Sequence, residues 1–221
     1  MIVMNKESFA KALKEAKSNS KERKFKQSID LIVNLKGLNP KKTEEQVDFF
    51  ATIPLDLGKK QSICALVGPE LFEEAKKVCD EVIVQDDFIK FAKDKKATKI
   101  LARKHDFFIA QANIMPQIAS AFGRALGPKG KMPNPKAGCI VPPKSNLKPL
   151  CDKLQKTLRI SSKLQPIIQT SVGNEKMDEG EVIENAFSLY DQIIHHLPEE
   201  ENNVKSVLIK LTMGKPAKVK A

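Results

Sequence analysis

The apolar pattern of this chain changes period twice, and that change limits the fold more than any other feature of the sequence. Between residues 28 and 35, Ile29, Leu31, Val33 and Leu35 alternate with Ser28, Asp30, Ile32 and Asn34, the two-residue period of a half-buried strand. Val47, Phe49, Ala51 and Ile53 repeat it after a polar loop through Asn39-Pro40-Lys41-Lys42. From Ser62 the texture differs. Ile63 to Val67, Val82 to Val84 and Phe107 to Ala110 are short continuous apolar runs, separated by helices predicted over 70–79, 87–104 and 112–124. That pattern belongs to βαβ units and a sheet covered on both faces. Leu147, Leu150, Leu154 and Leu158 then predict a helix over 146–158. At Arg159 extended texture returns. Ile160 to Val172 reads as one long extended segment, and a strand from Ser206 to Met213 puts Val207, Ile209, Leu211 and Met213 on one face, with Ser206, Leu208, Lys210 and Thr212 on the other.

Helices complete the two ends. Asn5 precedes the stripe Phe9, Ala12, Leu13 and Ala16, and Asp178 with Glu181 precedes Val182, Ala186, Phe187, Tyr190, Ile194 and Leu197. Neither terminal piece can bury a core alone, but together they supply about four strands and two helices. The sequence therefore predicts an α/β protein: an α+β domain built from both termini, residues 1–60 and 159–221, with a half-exposed sheet, and an inserted three-layer, Rossmann-like α/β domain over 61–158. Two crossings near 58–62 and 156–160 are expected to act as a hinge.

Charge narrows the partner class. The 221 residues carry 38 Lys and Arg against 27 Asp and Glu, a formal +11, which points to a polyanion. The stretch 123–159 holds nine basic residues and only Asp152 as an acid, so it supplies +8 of the +11. A second knot is Lys21, Arg23, Lys24 and Lys26 around Phe25, where charge alone does not separate a binding site from an ordinary helix-to-strand connection. With 11 Phe, one Tyr and no Trp, a row of base-stacking rings is poorly supported, and backbone and phosphate contacts are the better expectation. Cys64, Cys79, Cys139 and Cys151 form no CxxC pair, so they read as reduced, buried or semi-buried thiols rather than a zinc site or disulfide frame. No apolar run approaches the roughly 18 residues that span a bilayer, so neither a signal peptide nor a membrane anchor is expected.

The segment Gly127 to Gly138 has three Gly, three Pro and three Lys in 12 residues. Lysine offers a point charge to phosphate, yet no Gly-Lys-Ser or Gly-Lys-Thr follows a glycine at P-loop spacing. On physical grounds a rigid structural loop competes with a phosphate cradle. An α/β enzyme using this loop on a phosphate or nucleotide is the alternative function. The three histidines, His105 and the pair His195 and His196, make no catalytic arrangement in sequence and read as helix-end residues. No metal ligands or cofactor are expected.

The phrase Gly-Pro-Lys-Gly-Lys-Met-Pro-Asn-Pro at 127–135 resembles the signature of the universal large-subunit ribosomal protein one family, in its archaeal-type branch. Arg23-Lys24-Phe25 with Gln27 to Lys36, Phe107 to Gln111, and Lys210-Leu211-Thr212-Met213-Gly214 resemble further motifs of that family in the same order. The resemblance implies a structural constituent of the large subunit at the ribosome's mobile stalk, in the cytoplasm and without enzymatic activity. It implies binding to large-subunit rRNA, assistance to exit-site tRNA release, repression through the protein's own mRNA leader, and a monomer when free of the ribosome. Matched by motif, the RNA-binding residues are Lys24, Phe25, Lys26, Ser206, Thr212, Met213 and Gly214. For Phe25 and Met213 a core position competes with this role. Lys129, Lys131 and Lys136 are candidates for tRNA contact. The turn Ser161-Ser162-Lys163-Leu164-Gln165 departs from the family pattern in lacking an Asp.

Overall fold

A computed structural model of the chain describes residues 4–39, 42, 45–143, 145–162 and 165–220. In chain order these form α1 (Lys6–Ser18), β1 (Ser28–Leu35), β2 (Val47–Thr52), β3 (Ile63–Val67), α2 (Phe72–Val78), β4 (Glu81–Val84), α3 (Phe88–Lys93), α4 (Lys95–Lys104), β5 (Phe107–Gln111), α5 (Met115–Leu126), β6 (Ile140–Val141), α6 (Lys148–Gln155), β7 (Thr157–Ser162), β8 (Ile167–Asn174), α7 (Glu179–His195), β9 (Val204–Leu211) and β10 (Ala217–Lys218). The chain divides into two units, Met1–Lys59 with Lys156–Ala221, and Lys60–Gln155. The protein is α/β, with both antiparallel and parallel sheets.

In the first unit, β1 is central to an antiparallel sheet of order β10-β9-β1-β8. Its alternation is complete: Ile29, Leu31, Val33 and Leu35 are buried, while Ser28, Asp30, Ile32 and Asn34 are half-buried on the other face. The buried face shares one core with Phe9, Leu13 and Ala16 of α1 and with Val182, Leu189 and Ile193 of α7. Asn5 occupies the N-cap position of α1 without a side-chain capping bond, whereas Asp178 caps α7 by accepting from the Gly180 amide. Both helices pack on that buried face, and among the described residues the other face of β1 is left half-buried. β2 and β7 form a separate antiparallel pair, in which Phe49 lies opposite Ile160.

Three readings of the sequence need correction here. The helix expected over 146–158 ends at Gln155, because Thr157 to Ser162 pairs with β2 and Leu158 leaves the helical stripe for the strand. The extended segment 160–172 is two strands, with the Ser162 hydroxyl donating to the Gln165 carbonyl at 2.7 Å across the turn; Lys163 and Leu164, like Pro40 and Lys41, lie outside the described residues. The last strand stops at Leu211, so Thr212 and Met213 belong to a turn and Met213 is not on the core face.

The second unit is a parallel sheet of order β4-β3-β5-β6. All five residues of β3 are buried, as a strand covered on both faces requires. Cys64 and Leu66 pack with Phe88, Leu101, Ile118 and Phe122 from α3, α4 and α5. α2 and α6 meet elsewhere in this unit, where Leu147 donates its amide to the Glu74 carboxylate at 3.0 Å and the Cys79 and Cys151 sulfurs lie 3.7 Å apart. The four cysteines are free thiols. The helix predicted over 87–104 is broken at Asp94, whose carboxylate accepts from the Lys96 and Ala97 amides and so starts α4 afresh. Among the described residues no helix is long and apolar enough to cross a membrane.

Candidate nucleic-acid interface

Gln27 is the residue on which the first unit's site turns. It continues the parity of Ile29 and Leu31 one step before β1, so it points into the fold and is only 1% exposed. A buried amide must be satisfied. Its oxygen accepts from the Met213 amide at 3.2 Å, and its nitrogen lies 3.4 Å from the Ser20 hydroxyl, the Lys21 carbonyl and the Glu175 carboxylate. One side chain thus ties the basic knot after α1 to the turn after β9. A second tie lies one residue on. The Ser28 amide donates to the Thr212 hydroxyl oxygen at 2.9 Å, and the Thr212 amide donates to the Ser28 carbonyl at 3.0 Å. Gly214 completes the closure, since a side chain there would meet Ser20 and Leu211 at 3.3 Å.

These ties frame an open cleft of about 700 Å³ between the basic knot, Gln27 and Leu211. Lys21, Arg23, Lys24, Lys26 and Lys176 line it against Glu22 and Glu175. Phe25 is 50% and Met213 60% exposed, two of only four large apolar side chains left exposed among the described residues. A core role is therefore excluded for both. Phe25 on the cleft wall, Met213 in the turn tied to it through Gln27, and several cations that make no ion pair among the described residues suit a ligand with flat faces and phosphates.

Ser206 is not part of this cluster. It sits opposite Asn34, whose amide donates to its hydroxyl at 2.8 Å. Six residues of strand put it about 20 Å from Thr212. Between them the uncovered face carries Leu208 opposite Ile32 and Lys210 opposite Asp30. Burial pushes the Asp30 carboxyl above its ordinary value, with Lys210 opposing the shift. Of the seven residues matched by motif, six gather at one end of β9 and one stands at the other. Gln27 was missed; its signal was a polar residue continuing the apolar parity of the strand.

In the second unit the three candidate lysines differ. Lys131 donates to the His105 carbonyl at 2.7 Å and lies 3.8 Å from Asp106, so it pins the loop to the connection between α4 and β5. Lys129 and Lys136 are exposed. Desolvation lowers the Lys129 ammonium below its ordinary value, with Lys131 and Arg103 adding repulsion. Asn134 holds the rest of the loop, accepting from the Lys136 amide at 2.9 Å, and Gly138 at φ 75° turns the chain into β6.

The geometry disfavours the enzyme alternative on three counts. The Lys-rich loop follows the C-terminus of α5, where the helix dipole repels phosphate, rather than leading from a strand into a helix N-terminus. The switch point of the parallel sheet, between β3 and β5, is where such folds take ligands. It is closed, because Gln111 accepts from the Gly68 amide at 2.8 Å. Ser62, His105 and Glu81 do stand in line, with Ser62 Oγ 2.8 Å from Nδ1 and the Glu81 carboxylate 2.9 Å from Nε2. The imidazole is wholly buried, and its nitrogens are used in the reverse sense to a hydrolytic triad. Among the described residues no group of three or more His, Cys, Asp or Glu could hold a metal ion.

Comparison with known proteins agrees with the motif resemblance. The model of the Ribosomal protein L1p/L10e family matches residues 12–215. The large ribosomal subunit protein uL1 of Methanothermococcus thermolithotrophicus is 39% identical over 216 residues, which cover 98% of this chain and 99% of that one. Its counterpart in Thermococcus kodakarensis is 38% identical over 219 residues, covering 99% of each. That of Nanoarchaeum equitans is 40% identical over 203 residues, 90% of this chain and 93% of its own. Such likeness over nearly the full length of both partners leaves one assignment: the chain belongs to the Ribosomal protein L1p/L10e family, a family of ribosomal proteins and not of enzymes.

Proposed function

We propose that the protein is a structural constituent of the large subunit of cytoplasmic ribosomes and grips large-subunit rRNA in the cleft between the basic knot and the turn after β9. The observation that carries this reading is the exposure of Phe25 on the wall of the cleft and of Met213 in the adjoining turn, which Gln27 and the pair Ser28 and Thr212 tie to it. Lys24 and Lys26 meet phosphates, Phe25 and Met213 take base or sugar faces, and the Thr212 hydroxyl oxygen with the Gly214 carbonyl accepts from 2′-hydroxyl groups, their donors being committed to Ser28 and Leu211. Ser206 makes a separate, distal contact along the uncovered sheet face.

Two finer roles rest on the same surfaces. The cleft holds a similar fold in the protein's own mRNA leader and so represses its translation. Lys129 and Lys136 meet exit-site tRNA during its release, with Lys131 supporting the loop from behind. The free protein is a monomer. Filter binding of the purified chain to a large-subunit rRNA fragment, an mRNA leader fragment, tRNA and free nucleotides tests the set. Saturable binding of the first two in mutual competition supports the reading, and saturable nucleotide binding without RNA binding overturns it.

A further inference from the structure

A second pocket lies within the Lys60–Gln155 unit, where α3, α4 and α5 converge, and the rRNA reading makes no use of it. Its wall is apolar: Phe91 from α3 and Ala121 and Ala125 from α5, all half-buried against the core that holds Phe122. Its rim is cationic, with Lys95 and Lys99 of α4 and Arg124 of α5. Among the described residues no acidic side chain lines it. None of the three cations is held in an ion pair among the described residues. The nearest carboxylate in sequence, Asp94, is spent on the Lys96 and Ala97 amides.

The charge arrangement works against the helix that bears it. Lys95 and Lys96 stand in the first turn of α4, at the positive end of its dipole, and Lys95 and Lys99 are like charges one turn apart. Folding gains nothing from either placement, and an anionic partner would relieve both. Volume decides what sort of partner. The cavity is about 170 Å³, below the roughly 300 Å³ at which small-molecule sites begin, but it has room for one large apolar side chain. A nucleobase would enter with its polar edge unmet. The Thr98 hydroxyl is already committed to the Phe91 and Asp94 carbonyls, which leaves Ser120 as the one neutral polar side chain on offer.

We propose that this pocket docks an acidic peptide of a partner protein, which seats one large apolar side chain against Phe91, Ala121 and Ala125 while its flanking carboxylates meet Lys95, Lys99 and Arg124. The apolar anchor supplies affinity and the rim supplies orientation and rate of encounter.

The test uses the full chain and a fluorescein-labelled peptide, Glu-Asp-Glu-Phe-Glu-Asp-Glu, followed by anisotropy. The expected result is saturable binding that weakens with salt and falls roughly tenfold or more when the peptide's Phe becomes Ala, as loss of one buried aromatic anchor implies. Ala121→Leu, which fills the pocket, is expected to weaken the peptide by a similar factor without altering the melting temperature or rRNA affinity. Lys99→Glu with Arg124→Glu is expected to abolish binding. Equal affinity for the Phe and Ala peptides would overturn the proposal, because it would reduce the contact to diffuse charge attraction. So would a single-stranded RNA oligonucleotide that displaces the peptide and loses its own binding in Ala121→Leu, since the pocket would then be an RNA site.

Discussion

Thr212 and Ser28 lie 184 residues apart in sequence and share three hydrogen bonds: the Ser28 amide to the Thr212 hydroxyl at 2.9 Å, that hydroxyl to the Ser28 carbonyl at 3.3 Å, and the Thr212 amide to the same carbonyl at 3.0 Å. The bonds fasten the turn after the last long strand to the first residue of the central one. A neutral side chain therefore fixes where the turn presents Met213 and Gly214, while the nearby charges remain outside that network. In this site, position is set by uncharged groups and attraction by lysines.

Phe25→Ala and Met213→Ala should separate binding from folding. Both side chains are more than half out of contact with the protein or nearly so, so unfolding free energy should move by about 0.5 kcal/mol or less. Loss of a stacking face should weaken rRNA by about 1–3 kcal/mol for Phe25. Leu211→Ala is the contrast: its buried side chain should cost about 2–5 kcal/mol of stability in urea unfolding.

Gln27→Ala should act through the backbone it holds. The part-buried Met213 amide loses its acceptor, and the loss of one such hydrogen bond costs about 0.5–1.5 kcal/mol. Native-state hydrogen exchange should show faster exchange at the Met213 amide than in the wild type, with rRNA affinity falling although Gln27 itself is buried.

The loop lysines should divide. Lys131→Gln loses its bond to the His105 carbonyl and should lower the thermal midpoint. Lys129→Gln and Lys136→Gln should leave that midpoint unchanged and weaken tRNA retention by ribosomes carrying the variant, with rRNA affinity intact. A fall in rRNA binding as large as that of Thr212→Ala would contradict the assignment of this loop to tRNA.

Glu81 gives a pH dependence with a definite sign. Its hydrogen bond with Lys104 leads in holding its carboxyl below the ordinary glutamate value, and His105 adds to the effect against the opposing cost of burial. A depressed folded-state pKa means that the unfolded chain binds the proton more readily. The stabilisation is thus complete above the ordinary value of about 4.3 and is lost as pH falls through the lower folded-state value. The stability gap between the wild type and Glu81→Gln should be largest near neutral pH and shrink on acidification through that window. A gap that grew toward acid would refute the assignment.

The period of two along 28–35 and 206–211 was legible in sequence because one face of the sheet meets a core and the other does not. The parallel strands were equally legible, being buried on both faces. Leu158 misled because leucine spacing fits a helix and says nothing of the β2 strand waiting to pair with it. Asp94 was a breaker visible only as a cap. In the site, the motif pointed to Phe25 and Met213, but exposure alone distinguished them from core residues, and exposure depends on where β9 stops. Gln27 needed the fold, because its partners come from residues 20, 21, 175 and 213.

The central claim is that the uncharged tie at Thr212, rather than the charge around it, sets rRNA recognition. Filter binding of wild type and Thr212→Val to the large-subunit rRNA fragment across a salt series tests it most directly. The account predicts weaker binding at every salt concentration, with a slope of log affinity against log salt changed by much less than the roughly 0.7–0.9 that one lost phosphate contact removes. Unchanged affinity, or a slope altered by a full unit, would contradict it.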